Sequence, residues 1–313
     1  MSKSALFPFS SSAISLLERA LTRGELWLSA SSKIVFVCGA RLDASVSGRR
    51  DFLKYARKHF PWCHFFLAEK AFDATRRAPE REGVDLLTLE GYLAESADAI
   101  IIIVESDGAK AELGAFAHDD SIAAITLAIN DVDFRDNGSF ICEGPIRKLD
   151  RVSKFKPMVH TRLDAIAKGL GEVSERLERI HRKYRKKLEF EDVAGFLGLA
   201  RQQRVLLLAD LIWLASPIRY DEIVSLLLTV LGNGDLGTLS YEVALLQALE
   251  LVNVGTLGRQ AYLLPRPSVW EPFCDFQGAG MLAIRSAFLA GYRRKDRRRL
   301  TLLKAPIAGE GNR

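Results

Sequence analysis

The 313-residue chain is short of the features that would sort it quickly. It has only four cysteines, Cys38, Cys63, Cys142 and Cys274, and none stands in a CxxC pair. Only Cys63 adjoins a histidine, without zinc-ligand spacing, so no metal site is expected and the thiols read as reduced and buried. Long apolar runs are missing too: Ala99–Val104 and Ile122–Ile129 fall well short of the ~18 residues needed to cross a bilayer. The first residues, with Lys3, Ser10 to Ser12, Glu18 and Arg19, lack the pattern of a secretory leader, so a cytoplasmic protein is expected. Charge of one sign is scarce: 44 Lys+Arg against 39 Asp+Glu leave +5, which by itself implies no nucleic-acid partner. No Ser/His/Asp arrangement, Walker A loop or GxGxxG motif is present, which leaves kinase and dehydrogenase chemistry without support. No internal repeat is visible.

What is there is an ordinary globular mix, 48% hydrophobic and 27% charged, at a length that suggests two domains. Residues 5–28 carry apolar side chains at roughly helical spacing and predict an amphipathic helix. The run 33–40 (KIVFVCGA) is apolar, partly β-branched and closed by glycine, the signature of a buried strand feeding a loop. A helical pattern follows at Arg49–His59, a second apolar run at His64–Ala68, and a helix at Leu86–Glu95. The strongest strand signal spans Asp98–Val104. A helix near Ala111–His118 and a strand at Ala123–Ile129 follow. Alternating buried strands and helices predict an α/β fold with a doubly wound parallel sheet, whose ligands sit beyond the carboxyl ends of the strands. That singles out the loops 39–43 and 105–112.

Near residue 160 the pattern changes. Residues 161–192 read as a charged helical segment, with seven basic residues between Arg176 and Lys187. Leucine-rich helices follow at 204–214, 220–231 and 240–251, then two extended halves around Gly255 to Gly258 that read as a hairpin. Three helices and a hairpin predict a winged helix-turn-helix domain. Its third helix holds no Lys or Arg, a poor composition for reading a major groove. A last helix at about 278–304 ends in Arg293, Arg294, Lys295, Arg297, Arg298, Arg299 and Lys304. Positive charge thus gathers in two segments, Arg182, Lys183, Arg185, Lys186 and Lys187 in one and Arg293, Arg294, Arg297 and Arg298 in the other. Both are candidates for docking nucleic acid or a partner without reading sequence.

The richest local text is DAIIIIVESDGAKAELGAF, residues 98–116. A strand ends, a polar turn holds Glu105, Ser106, Asp107 and Gly108, and a helix starts near Lys110. Ser106 and Asp107 can cap that helix, and Gly108 lets its amides approach a phosphate or ribose. Glu112 lies in the first turns, close to the expected crevice. A carboxylate there suits cleavage of an N-glycosidic bond, because it can stabilise an oxocarbenium-like transition state or attack C1′. Glu105 is a second carboxylate able to bind ribose hydroxyls or transfer protons; each glutamate also has a bland reading, Glu112 as a helix-dipole partner. Arg49 and Arg50 open the helix after the first loop, within reach of a pyrophosphate. Glu69 and Asp73 follow the second strand. His118 lies more than a helical turn past Glu112 and reads as structural.

The segments IVFVCGA (34–40), ESDGAKAELGAF (105–116), SFICEGPIR (139–147) and GPIRKL (144–149), with the order of α/β domain then winged helix, resemble the nucleoside deoxyribosyltransferase-like effectors of bacterial retrons. The resemblance spans most of residues 30–270, with its specific motifs within 30–150. It implies a nucleoside deoxyribosyltransferase-like domain at 30–160 in which Glu112 is catalytic and Glu105 assists, with Gly39, Arg41, Arg50, Glu69, Ser106 and Gly108 around the substrate. It implies attack on NAD+ or a related nucleotide as substrate, with no cofactor. The first loop departs from a glycine-rich pair, reading Gly39-Ala40-Arg41, where the Arg41 guanidinium can supply a phosphate contact. Around that domain the expected divisions are an N-terminal helix (1–29), a basic helical connector (161–192), the winged helix (193–272) and a basic C-terminal helix and tail (273–313). The implied partners are the retron reverse transcriptase and its RNA–DNA hybrid, with no membrane, in an assembly of possible higher order. The implied role is a toxin held in check until phage infection. The rival readings are deoxyribosyl transfer or nucleotide hydrolysis at the same site, and a non-catalytic nucleotide-sensing DNA-binding regulator.

Overall fold

The computed structural model describes residues 8–23, 26–29, 33–45, 47–69, 86–135, 138–180, 185–266, 272–276 and 280–304. In chain order its strands are β1 (Leu26–Leu28), β2 (Lys33–Cys38), β3 (Cys63–Phe66), β4 (Ala99–Ile103), β5 (Thr126–Asp131), β6 (Val159–Thr161), β7 (Lys186–Leu188), β8 (Val252–Leu257), β9 (Gln260–Pro265) and β10 (Cys274–Phe276). The chain divides into two compact units. One holds residues 31–77 and 81–183; the other holds 1–30, 78–80 and 184–313.

The first unit is built on a parallel five-stranded sheet in the order β3-β2-β4-β5-β6. Its central strands β2 and β4 are buried at every position, as the apolar text of β4 and of β2 after Lys33 demands. Counting within this sheet, the strand order is 2-1-3-4-5, so the chain leaves β2 and β4 in opposite directions. Right-handed crossovers then put the Gly48–His59 helix on one face and the Asp107–His118 helix on the other. In sheets of this order the ligand crevice lies where the order reverses, here beyond the carboxyl ends of β2 and β4. Ser47 starts the first of these helices by accepting from the Arg50 N–H at 3.2 Å, and Ser106 starts the second by accepting from Ala109 at 3.2 Å.

The second unit is centred on the Arg201–Ala215 helix, in which every residue from Gln203 to Ile212 is buried, as are Leu214 and Ala215. A leucine at its middle, such as Leu207, is completely enclosed, and truncating it to alanine would cost about 2–5 kcal/mol. Asp210 is also enclosed there. It accepts from the Phe273 and Cys274 amides at 3.2 and 2.7 Å, and burial pushes its carboxyl up to about 8. The Tyr220–Leu231 and Leu239–Ala248 helices follow, then the β8–β9 hairpin turned through Gly258 at φ +64°. Ile218, between the first two helices, bridges Leu263 of β9. The Met281–Lys295 helix packs against the Ser11–Glu18 helix, with Phe9 edge-on to Phe288. A side chain at Gly291 would come within 3.1 Å of the Pro8 carbonyl, so that crossing needs glycine.

Several expectations are corrected. The 5–28 segment is not one helix: after Ser11–Glu18 and a wider turn at Arg19–Arg23 it becomes β1, held between β10 and β7 with Leu26 and Leu28 buried. The 161–192 segment is not a helical connector. It contains β6's last residue, a 3-10 stretch Leu163–Gly169, a helix Leu170–Leu177 and strand β7. The last helix stops at Lys295, and a 3-10 turn Arg297–Leu303 replaces its expected continuation. The fourth strand of the parallel sheet starts at Thr126, because Asp119 caps a helical turn over Asp120–Ala123. Residues 161–183 fold with the first unit. The N-terminal and C-terminal segments fold with the second rather than standing apart.

Candidate active site

Side chains gather beyond β2 and β4 from six places: the end of β2, the start of the Gly48–His59 helix, the residues after β3, the Leu86–Glu95 helix, the residue after β4 and the Asp107–His118 helix. Glu105, directly after β4, turns back toward the first loop. Its Oε1 accepts from the Ala40 and Arg49 amides, both at 3.0 Å, and its Oε2 from the Gly48 amide at 2.6 Å. The carboxylate thus ties β4 to the loop after β2 and satisfies orphan donors at a helix N-terminus, where negative charge is favoured. Gly39 lies so close that a Cβ there would be 3.0 Å from Glu105 Oε1. The lone pairs of Glu105 are spent on the backbone, an arrangement that gives it a positioning part in place of the proton transfer expected from sequence.

Glu112 differs in every respect. It lies one turn into its helix, partly buried, and its Oε2 is shut from solvent with no hydrogen-bond donor among the described residues. Burial raises its carboxyl above the ordinary value and the Glu69 charge adds to the rise. The Cys38 thiol and the Arg49 guanidinium oppose it. Glu90, on the Leu86–Glu95 helix, hydrogen-bonds Glu112 and is pushed up to about 7, first by burial and then by the Glu112 charge. Cys38, the last residue of β2, is pushed well above its usual value by burial and by Glu112; it is a protonated thiol that donates to that carboxylate. Arg49 is the counter-charge. It is 3% exposed and forks onto Glu69, Nη1 to Oε2 at 3.2 Å with Nη2 on Oε1. Two adjacent carboxyls that cannot both ionise divide into a proton holder and an ionised partner, the division of labour that acid–base chemistry needs.

Of the residues singled out in the sequence, the structure therefore brings together Glu112, Glu69, Arg49 and Gly39, with Glu105 as the strut beneath them. Ser106 is occupied as a helix cap. Gly108 is exposed, and a Cβ there would meet Ser106 Oγ at 4.0 Å, an ordinary contact. Arg50 points away, donating to the Leu42 and Ala44 carbonyls at 3.2 and 3.1 Å, and so shapes the loop. Arg41 is exposed and forks onto Asp43 at 3.0 Å for both bonds. His118 is exposed at the far end of its helix. Asp73 lies outside the described residues, as do Arg182 and Lys183. Of the basic candidates nearby in sequence, Arg185 stacks over Trp27 at 4.7 Å and approaches Asp275 at 3.6 Å, Lys187 pairs with Glu189 at 3.1 Å, and Lys186 is exposed. Sequence reading missed Glu90 and the contact of Cys38 with Glu112. The available signal for Glu90 was its place as a lone acid within LLTLEGYLA, just ahead of the strongest strand.

Carboxyls gathered at the reversal of a parallel α/β sheet stand where sheets of this class bind small ligands. The chain belongs to the retron effector family. The family described as STM3845 retron effector protein matches residues 45–254. A protein of Escherichia coli named "Retron Ec73 putative ribosyltransferase/DNA-binding protein" is 28% identical over 216 residues, covering 64% of this chain and 67% of that protein. Another from Escherichia coli, "Retron Ec86 putative ribosyltransferase/DNA-binding protein", is 34% identical over 130 residues, 41% of each chain.

Proposed function

We propose that the chain is the toxic effector of a retron anti-phage system and that its first unit cleaves an N-glycosidic bond in NAD+ or a related nucleotide. The observation that carries this is Glu112, whose carboxyl is raised by burial and whose Oε2 is shut away from any donor among the described residues, beside Glu90, pushed up to about 7. In this reading the Glu112 carboxylate stabilises the oxocarbenium-like sugar or bonds to C1′ as the C1′–N bond breaks and its electron pair goes to the base. Water, or a second base, then takes the sugar. Cys38 orients Glu112 through its thiol, and Arg49 fixes Glu69 at the rim for ribose hydroxyls. Glu105 holds the loop that carries Gly39, and Arg41 is exposed on that loop for a phosphate.

A second reading is favoured by Glu90. Nicotinamide departs from NAD+ as a neutral molecule and needs no proton, whereas a neutral purine or pyrimidine leaves well only when protonated. An acid held near 7 is therefore suited to a nucleoside or nucleotide, in hydrolysis or deoxyribosyl transfer. Incubating the protein with NAD+, and separately with nucleosides and deoxynucleotides, separates the readings by which base is released. Release abolished by Glu112→Gln supports glycosidic chemistry. No release from any of them, with ligand still bound, would make the unit a nucleotide sensor.

The order helix, bridge, helix, helix, hairpin in the second unit supports a winged-helix reading. Family membership supports action with the other retron components, the reverse transcriptase and its RNA–DNA hybrid, as partners. Among the described residues no helix is long and apolar enough to cross a membrane, and a cytoplasmic location fits this role.

A further inference from the structure

In a winged helix that reads a groove, the third helix presents side chains to base edges. Here the Leu239–Ala248 helix cannot do so. Leu239, Glu242 to Leu246 and Ala248 are buried, leaving only Ser240, Tyr241 and Gln247 partly accessible. Its acid, Glu242, is turned inward onto Arg204 at 2.9 Å and Arg201 at 3.7 Å.

Positive charge lies elsewhere on the same unit. Between residues 293 and 304 the chain exposes Arg293, Arg294, Lys295, Arg297, Arg298 and Lys304. The one acid there, Asp296, is taken by Arg299 at 2.9 Å. Among the described residues no carboxylate lies within ion-pair distance of Arg293, Arg294, Arg297 or Arg298. Cations in the last turn of the Met281–Lys295 helix would be favoured for its dipole alone. Arg297 and Arg298 lie beyond that helix, and the dipole does not account for them.

The turn that carries them is held rigidly. Arg299 is 2% exposed, pairs with both Glu222 oxygens at 2.8 Å, and lies 4.5 and 5.2 Å from the ring centres of Tyr292 and Tyr262. The turn packs on β8, where Leu302 lies against Gly255. One arginine of the Arg297–Arg299 triplet is thus the anchor that holds its neighbours outward beside the hairpin, whose tip exposes Arg259. Guanidinium forks match phosphate oxygens, and no acid beside them offsets their charge.

We propose that the second unit binds nucleic acid by its phosphate backbone, without reading sequence, on the surface formed by Arg293, Arg294, Arg297 and Arg298 beside the β8–β9 hairpin. The test measures binding of the full chain to labelled duplexes and single strands of about 30 nucleotides, each in two unrelated sequences, across a salt series. Four phosphate contacts on a duplex give a log–log salt slope of about −3.6, so affinity should fall by roughly 150-fold from 50 to 200 mM. The two sequences should bind alike. Replacing the four arginines together by serine should lower affinity at least ~30-fold and remove most of that slope, with thermal unfolding unchanged. Tyr241→Ala with Gln247→Ala should bind like the parent. As a readout free of variants, duplex should protect Arg293 to Arg298 of the parent protein from phenylglyoxal. Undiminished binding by the arginine variant, an equal loss in the Tyr241/Gln247 variant, protection confined to other arginines, or binding of polyglutamate but no nucleic acid would each overturn the proposal.

Discussion

Glu105 and Glu112 stand seven residues apart in one strand–turn–helix segment, and the fold uses them in opposite ways. Glu105 receives three backbone N–H donors. Glu112 keeps one oxygen buried without a donor and faces two further carboxyls. A carboxylate saturated with amides is well solvated by the protein and becomes a strut. One from which donors are withheld stays basic and reactive. Proximity to the crevice is shared by both; the supply of hydrogen-bond donors separates them.

Substitutions sharpen that contrast. Glu112→Gln should reduce base release by at least ~10³-fold, about 4 kcal/mol of transition-state stabilisation, while leaving the urea midpoint unchanged or slightly raised. Glu105→Ala should act on the other axis. Losing an ionised acceptor for three amides should cost about 3 kcal/mol of stability in urea unfolding, and any loss of turnover should follow the unfolded fraction. If Glu105→Ala is fully stable yet inactive, the contrast fails.

Glu90→Gln should slow release of a neutral base by about 10²-fold and leave nicotinamide release from NAD+ nearly unaffected. The pH profile carries the sign. Glu90 must hold its proton, so activity on a neutral base should decline as pH rises through about 7, and this alkaline limb should vanish in Glu90→Gln. The acid limb, set by protonation of Glu112, should persist. The smallest effect belongs to Cys38→Ala, which removes a neutral thiol donor: a roughly threefold drop in kcat, with the acid limb moved to higher pH because Glu112 loses a stabilising contact.

Much of the first unit was legible because its signals are local. The apolar runs of β2 and β4 and the serines before two helices are readable without partners, and ELGAF placed Glu112 on the correct helix. What stayed hidden depends on tertiary placement. Glu90 is an unremarkable acid until a helix from another part of the chain brings it onto Glu112. Leu26–Leu28 has helical spacing in isolation and is a strand only because residues 186–188 and 274–276 flank it. The two basic segments looked alike in composition, yet Arg185 and Lys187 are absorbed by Trp27, Asp275 and Glu189, while Arg297 and Arg298 are held outward by an arginine pointing the other way.

The three-stranded sheet β10-β1-β7 also sets an order of events during synthesis. The first unit is a nearly continuous stretch ending at residue 183, and its parallel sheet can close once that stretch has left the ribosome. Strand β1, made much earlier, must wait for β7 and then β10, some 250 residues after itself, before both of its edges are paired. At about 5–20 residues per second the roughly 90 residues between the end of the first unit and the end of β10 take about 5–19 s to translate. For that interval the nascent chain carries a complete crevice and an incomplete second unit. Any restraint on the crevice that works through the second unit can begin only once β10 has been made.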